Sequence, residues 1–156
     1  LYSISDFTVN ASYTLNDTNI AGSDESWQIG AGYNFGAHRI GAMYGDNADA
    51  HGSAGSQWAI GADGSFGDFS YTALVGDNDV TSDAGGDIMV GLSGAYAVSA
   101  AGSVTGFVST GGAAANDTSY GIGYAHSLGG GVSLAAGVGS NKAGKTQADA
   151  GVTFSF

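Results

Sequence analysis

Asp149-Ala150-Gly151-Val152-Thr153-Phe154-Ser155-Phe156 closes the chain on a strict alternation of residue type. Ala148, Ala150, Val152, Phe154 and Phe156 fall on one side of an extended strand, and Asp149, Gly151, Thr153 and Ser155 on the other, because side chains alternate faces with a period of two. An amphipathic strand of this kind suits either the edge of a soluble sheet or the wall of a membrane barrel. Lipid holds no water to satisfy a bare backbone, so only helices and closed barrels span it.

Composition separates these two readings. Glycine makes up 29 of 156 residues, proline and cysteine are absent, and charged residues are only 11%, against roughly a quarter in a typical soluble domain. Mean hydropathy is nevertheless near zero, at +0.06, and no run approaches the roughly 18 apolar residues of a membrane helix. Alternating membrane strands account for both facts, since averaging over two faces hides the apolar one. Missing cysteine is compatible with a periplasmic route. A formal charge of −11 argues against nucleic acid as a partner.

Period-two runs recur along the chain. After a strand end at Leu1 to Ile4, ten strands are predicted at 7–15, 26–35, 39–45, 57–66, 69–76, 87–98, 102–109, 118–128, 132–139 and 147–156. Most have about the 9 to 11 residues that a tilted membrane-spanning strand needs. Tight turns at Ser5-Asp6, Gly36-Ala37, Gly67-Asp68, Ser99-Ala100 and Gly129-Gly130 alternate with long loops at 16–25, 46–56, 77–86, 110–117 and 140–146. Short periplasmic turns and longer outer loops are the habit of transmembrane barrels, and they put the C-terminus on the periplasmic side. The fold expected is therefore an all-β, antiparallel transmembrane barrel, with residues 1–156 forming a single barrel domain or the C-terminal portion of one.

The two faces carry different residues. Aromatic side chains collect toward strand ends: Trp27, Tyr44, Trp58 and Tyr120 toward the loops, and Phe7, Phe35, Phe66, Phe69, Tyr96 and Phe156 toward the turns. Rings with an apolar body and a polar edge favour the membrane interface, so two girdles are expected. The inward face is mostly Gly, Ser, Thr, Ala and Asn, which leaves room for water where a plugged barrel would carry large side chains. Asn10, Asn34, Arg39, Asp63, Asp87 and Asp149 are the pore-lining candidates, and their acidic balance would enrich cations.

Loop acids are numerous, and Asp77, Asp79 and Asp83 outline a weak calcium candidate. No complete coordination pattern appears, because Ile88 stands where an EF-hand needs its final Glu. Solvated loop carboxylates are the simpler reading, with divalent bridging to lipopolysaccharide as the alternative. No other cofactor is implied. His38, His51 and His126 show neither metal spacing nor a nucleophile motif, so the chain does not read as an enzyme. His126 falls on the lipid side with Tyr124 and Leu128.

The terminal Asp149, Gly151, Phe154 and Phe156 resemble the C-terminal signal that the barrel assembly machinery reads in outer-membrane proteins. The run from Thr118 to Gly139, followed by Ala150 to Phe156, is similar to the last three strands of the Rhodobacter-type general diffusion porins. Leu1 to Ile4, a short turn, and Phe7-Thr-Val-Asn-Ala-Ser12 resemble the end of the sixth strand and the seventh strand of the same porins. The resemblance implies a homotrimer of sixteen-stranded, water-filled channels in the outer membrane of a Gram-negative bacterium, passing small hydrophilic solutes and ions by diffusion. It also implies that this chain is the C-terminal part, from about the end of strand six to strand sixteen. The alternatives are a self-contained ten-stranded barrel with a structural or adhesive surface role, and an outer-membrane enzyme. Ten strands tilted by about 40° would close at a backbone diameter of about 20 Å and sixteen at about 32 Å, and the small inward residues suit the wider one.

Overall fold

The computed structural model describes residues 2–14, 26–48, 54–78, 88–111 and 118–155. They form eleven antiparallel strands: β1 (Tyr2–Ile4), β2 (Phe7–Thr14), β3 (Ser26–Phe35), β4 (His38–Ala48), β5 (Ala54–Phe66), β6 (Phe69–Asn78), β7 (Met89–Ala97), β8 (Gly102–Thr110), β9 (Ser119–Gly129), β10 (Val132–Ser140) and β11 (Thr146–Phe154). The sheet order follows the chain from β1 to β11. β2 is laddered on both sides, to β1 and to β3, so no ladder joins it to β11. By contacts the chain divides into two compact units, one of residues 1–62 with 74–89 and one of 63–73 with 90–156.

In the first unit the register fixes the faces. Phe7, Val9, Ala11 and Tyr13 of β2 stand opposite Tyr33, Ala31, Ile29 and Trp27 of β3. Those residues in turn oppose Ile40, Ala42, Tyr44 and Asp46 of β4. The other parity brings Thr8, Asn10 and Ser12 to Gly32, Gly30 and Gln28, and then to Gly41, Met43 and Gly45. In the second unit, Val104, Gly106 and Val108 of β8 share a face with Tyr124, Ile122 and Tyr120 of β9. That face continues through Ala136 and Val138 of β10 to Ala150 and Ala148 of β11.

Burial is inverted relative to a water-soluble sheet. No hydrophobic residue among those described is buried, while Ile29, Tyr33, Ile122 and Val138 are exposed, and Gly30 and Gly32 are buried between them. Leaving a large aliphatic or aromatic side chain in water forfeits about 1.5–3 kcal/mol. An apolar face of this extent is stable only against hydrocarbon, and backbone ladders along each strand leave few polar groups for lipid to confront.

Turn chemistry accounts for the hairpins and for two differences from the expected boundaries. Gly36 and Gly67 take left-handed φ values of +64° and +57°, as two-residue hairpin turns require. Between β9 and β10 the turn falls on Gly130-Gly131, one residue later than expected. Gly129, Gly130 and Gly131 all have positive φ, at +80°, +61° and +78°. The register shifts between Val132 and Ser133: Gly129 pairs with Val132 but Ser127 with Ser133, so Leu128 is an extra, bulged residue. The connection after β7 is also wider than a two-residue turn. It spans 98–101, held by Val98 N–H and Ser99 N–H donating to the Gly102 carbonyl at 3.0 and 3.2 Å. β4 and β5 extend farther toward their shared loop than periodicity indicated, because ladder pairing continues where the hydrophobic alternation fades.

Two outcomes test this organisation in the full-length chain refolded into lipid vesicles. Ile122→Arg, in mid-strand on the apolar face, should cost about 2–4 kcal/mol, whereas Thr105→Arg on the opposite face should cost far less; urea unfolding titrations measure both. A Cβ at Gly131 would collide with the Ser155 carbonyl, while one at Gly36 would meet nothing within 4 Å. Gly36→Ala should therefore cost only the left-handed backbone term of about 1–2 kcal/mol. Gly131→Ala should cost more and weaken the 2.8 Å bond from Ser155 N–H to the Gly131 carbonyl, which amide exchange at Ser155 would report.

Candidate functional site: a polar strand face with a glycine floor

The polar face of the first unit is built around glycines roofed by neighbouring side chains. A Cβ on Gly30 would stand 2.8 Å from Asn10 Oδ1, and one on Gly32 would stand 3.0 Å from Thr8 Oγ1 and 3.5 Å from Arg39 Nε and Nη2. Asn10 and Arg39 thus lie over the glycines of β3, with Asn34 directly opposite Arg39 in the ladder. Gln28 Nε2 donates to Met43 Sδ at 3.6 Å on the same face. The structure brings Asn10, Asn34 and Arg39 together here.

In the second unit the polar parity forms an ordered array. Phe107 pairs with Gly121 and Thr105 with Gly123; Gly121 pairs with Gly139 and Gly123 with Gly137; Gly139 pairs with Gln147 and Gly137 with Asp149. Four glycines make a floor without side chains, walled by Phe107 and Thr105 on one side and by Gln147 and Asp149 on the other. A groove of about 480 Å³ lies over it. Ser109 and Ser119 share a 2.8 Å hydroxyl hydrogen bond beside Phe107.

Phe107 is the residue that strand periodicity alone passes over as an ordinary barrel aromatic. Its signal is parity: Val104 and Val108 occupy the apolar face, so Phe107 falls with Ser103, Thr105 and Ser109. The opposite face of this unit has a larger hollow of about 660 Å³ between Phe69, Leu92, Tyr96, Tyr120 and Ile122. Its walls are mainly hydrocarbon and aromatic, with Ser93, Ser140 and Thr146 also in the lining, which suits it to acyl chains.

The remaining predicted residues are distributed as follows. Asp63 lies in β5, exposed and on the parity of Gly61 and Ser65. Asp87 lies outside the described residues, as do Asp79, Asp83, His51 and Phe156. Asp77, in β6, has a buried Oδ1 without a hydrogen-bond partner among the described residues, and no group of three potential metal ligands occurs among them. Trp27 packs on Tyr44 with centroids 5.8 Å apart near the loop end of the β3–β4 hairpin. Phe35 packs on His38 at 5.5 Å by its turn. Eight residues of β3 separate Trp27 from Phe35, roughly 27 Å along the strand, which on tilting becomes close to the height of a barrel's apolar band. Phe66 stacks on Tyr71 at 5.8 Å, Phe69 lies against Gly94, and Phe154 and Gly151 lie in β11 opposite Val132 and Ala135. Trp58 and Tyr96 lie in β5 and β7. His126 Nδ1 and the Tyr124 hydroxyl are joined by a 3.0 Å hydrogen bond, both on the apolar parity.

Inverted burial, a polar glycine-rich face and sequential antiparallel strands are the features of an outer-membrane β-barrel wall. The chain belongs to the Gram-negative porin family, whose model matches residues 1–146. It is similar to solved structures of the Rhodopseudomonas blastica porin: an engineered triple variant (30% identity, TM-score 0.77) and a variant with two introduced tryptophans (30%, 0.75). A structure described under asymmetric conductivity of engineered proteins matches at 30% and 0.74. Each match covers 99% of this chain and 53% of the other, so the chain spans about half the length of these structures. No match was found among curated proteins. The protein is thus a non-enzymatic porin-family chain of the outer membrane, corresponding to part of a porin barrel.

Proposed function

We propose that this chain supplies part of the wall of a water-filled diffusion channel for small hydrophilic solutes and ions, with the polar face inward and the C-terminus at the periplasmic side. The observation that carries this reading is the polar face itself, where Gly30, Gly32, Gly121, Gly123, Gly137 and Gly139 stand in place of large side chains. A lumen so lined admits water, whereas a plugged barrel fills its interior. Asn10, Asn34, Arg39, Asp63 and Asp149 would then face the solute path. The paired aromatic residues would mark the two membrane interfaces, and Asp149, Gly151, Phe154 and Phe156 would be read by the barrel assembly machinery. A homotrimer in contact with lipopolysaccharide is the assembly proposed, as the resemblance to general porins implies.

The proposed wall is net acidic, since Asp63 and Asp149 outnumber Arg39, and such a wall enriches cations even though salt screens it over about 8 Å. Reversal potentials under a potassium chloride gradient, measured on the full-length chain in planar bilayers, should show cation preference. Arg39→Glu should increase that preference and Asp63→Lys reduce it. Absence of ion conductance from correctly folded, inserted protein would refute the channel reading.

A further inference from the structure

The groove over the four-glycine floor has a chemistry that a plain water-filled wall does not need. Phe107 is 49% exposed on a face otherwise made of Gly, Ser, Thr and Ala together with Gln147 and Asp149. Its ring leans over β9, with Cε1 and Cζ 2.7 and 3.2 Å from where a Cβ on Gly121 would stand. From the opposite wall Asp149 leans inward, its Oδ1 3.6 Å from the position of a Cβ on Gly137. Gly121 and Gly137 are one strand apart and two residues offset, or roughly 5 Å across and 7 Å along the sheet. Ring and carboxylate therefore lean in from opposite walls of the same groove, over positions that one small molecule spans.

Asp149 is the one charged residue lining that groove among the described residues. Asp149 offers carboxylate oxygens, and Gln147 and Thr105 add an amide oxygen and a hydroxyl. Other polar groups nearby are already engaged: Ser109 bonds Ser119, and Asn141 Oδ1 accepts from the Ala143 and Lys145 N–H groups, both at 3.0 Å. An aromatic ring offers a stacking surface to another apolar or aromatic body, and a carboxylate one molecule's length away attracts a cation. The geometry points to a subsite for organic ammonium solutes, with the apolar body on Phe107 and the ammonium on Asp149. This subsite rests on the reading of the polar face as the wall of an aqueous channel. Covering of the Gly121 backbone by Phe107 explains the ring's position; it does not require a carboxylate across the floor.

Open-channel current through the full-length chain in planar bilayers, with phenethylammonium chloride added, tests the proposal. Phenethylammonium should produce transient block, while ethylammonium, lacking the ring, and phenylacetate, lacking the cation, should not at equal concentration. Phe107→Ala and Asp149→Asn should each weaken the block by at least about threefold, the size that an aromatic stacking contact or a partly screened ion pair supplies. Phe107→Tyr and Asp149→Glu should retain it. Should Phe107→Ala give no open channels, Phe107→Leu keeps apolar bulk over Gly121 without the π face and should show the same loss. Block that is unchanged in both Phe107→Leu and Asp149→Asn, or equal block by phenylacetate, overturns the subsite. Open channels without any block overturn the subsite alone, whereas folded, inserted protein that never conducts overturns the channel reading and the subsite with it.

Discussion

The backbone's need for hydrogen bonds where no water is present governs this molecule. Every strand must be laddered to a neighbour, and that pairing is what allows one face to be hydrocarbon-like without a protein core behind it. In a soluble sheet the hydrophobic effect brings apolar faces together. Here the ladders organise the strands and the surrounding solvent accepts the apolar face, so Ile29, Tyr33, Ile122 and Val138 are exposed while Gly30 and Gly32 are buried. Conventional burial arguments thus reverse sign. A charge tolerated beside Thr105 is costly beside Ile122, although the two positions are only a strand apart.

Much of this was legible from residue order. Period-two alternation located every strand within a few residues, and the tight-turn signals at Gly36 and Gly67 matched left-handed backbone positions. Where the reading slipped, the cause was local backbone chemistry that periodicity does not encode. Three successive glycines offered two equally good placements for the β9–β10 turn, and the bulge at Leu128 selected the later one. The connection after β7 takes four residues where the other tight turns take two. The β4–β5 boundaries were short because Gly45 and Gly55 carry no hydrophobic signal, although both lie within strands.

The polar face was less legible. Single-strand reading placed Asn10, Asn34 and Arg39 on one side but could not bring them into proximity, which needed the register across β2, β3 and β4. The four-glycine floor is likewise a property of pairing: Gly121-Ile-Gly123 and Gly137-Val-Gly139 become one surface only when aligned. Phe107 carried a misleading signal, since an aromatic in a membrane strand suggests lipid contact until its valine neighbours settle the parity. Residue type and residue role separate here, and the ladder decides between them.

The bulge at Leu128 bears on how such a chain can change length over generations. One residue gained or lost between Gly102 and Phe107 would exchange the surroundings of every side chain on one flank of the change, sending Val104 or Phe107 to the wrong solvent. Insertions inside strands are therefore admissible in pairs, or singly where a bulge takes up the odd residue, as it does beside the glycine turn at 129–131. Descendants of this chain are free to vary in the long connections and held to even steps within the wall.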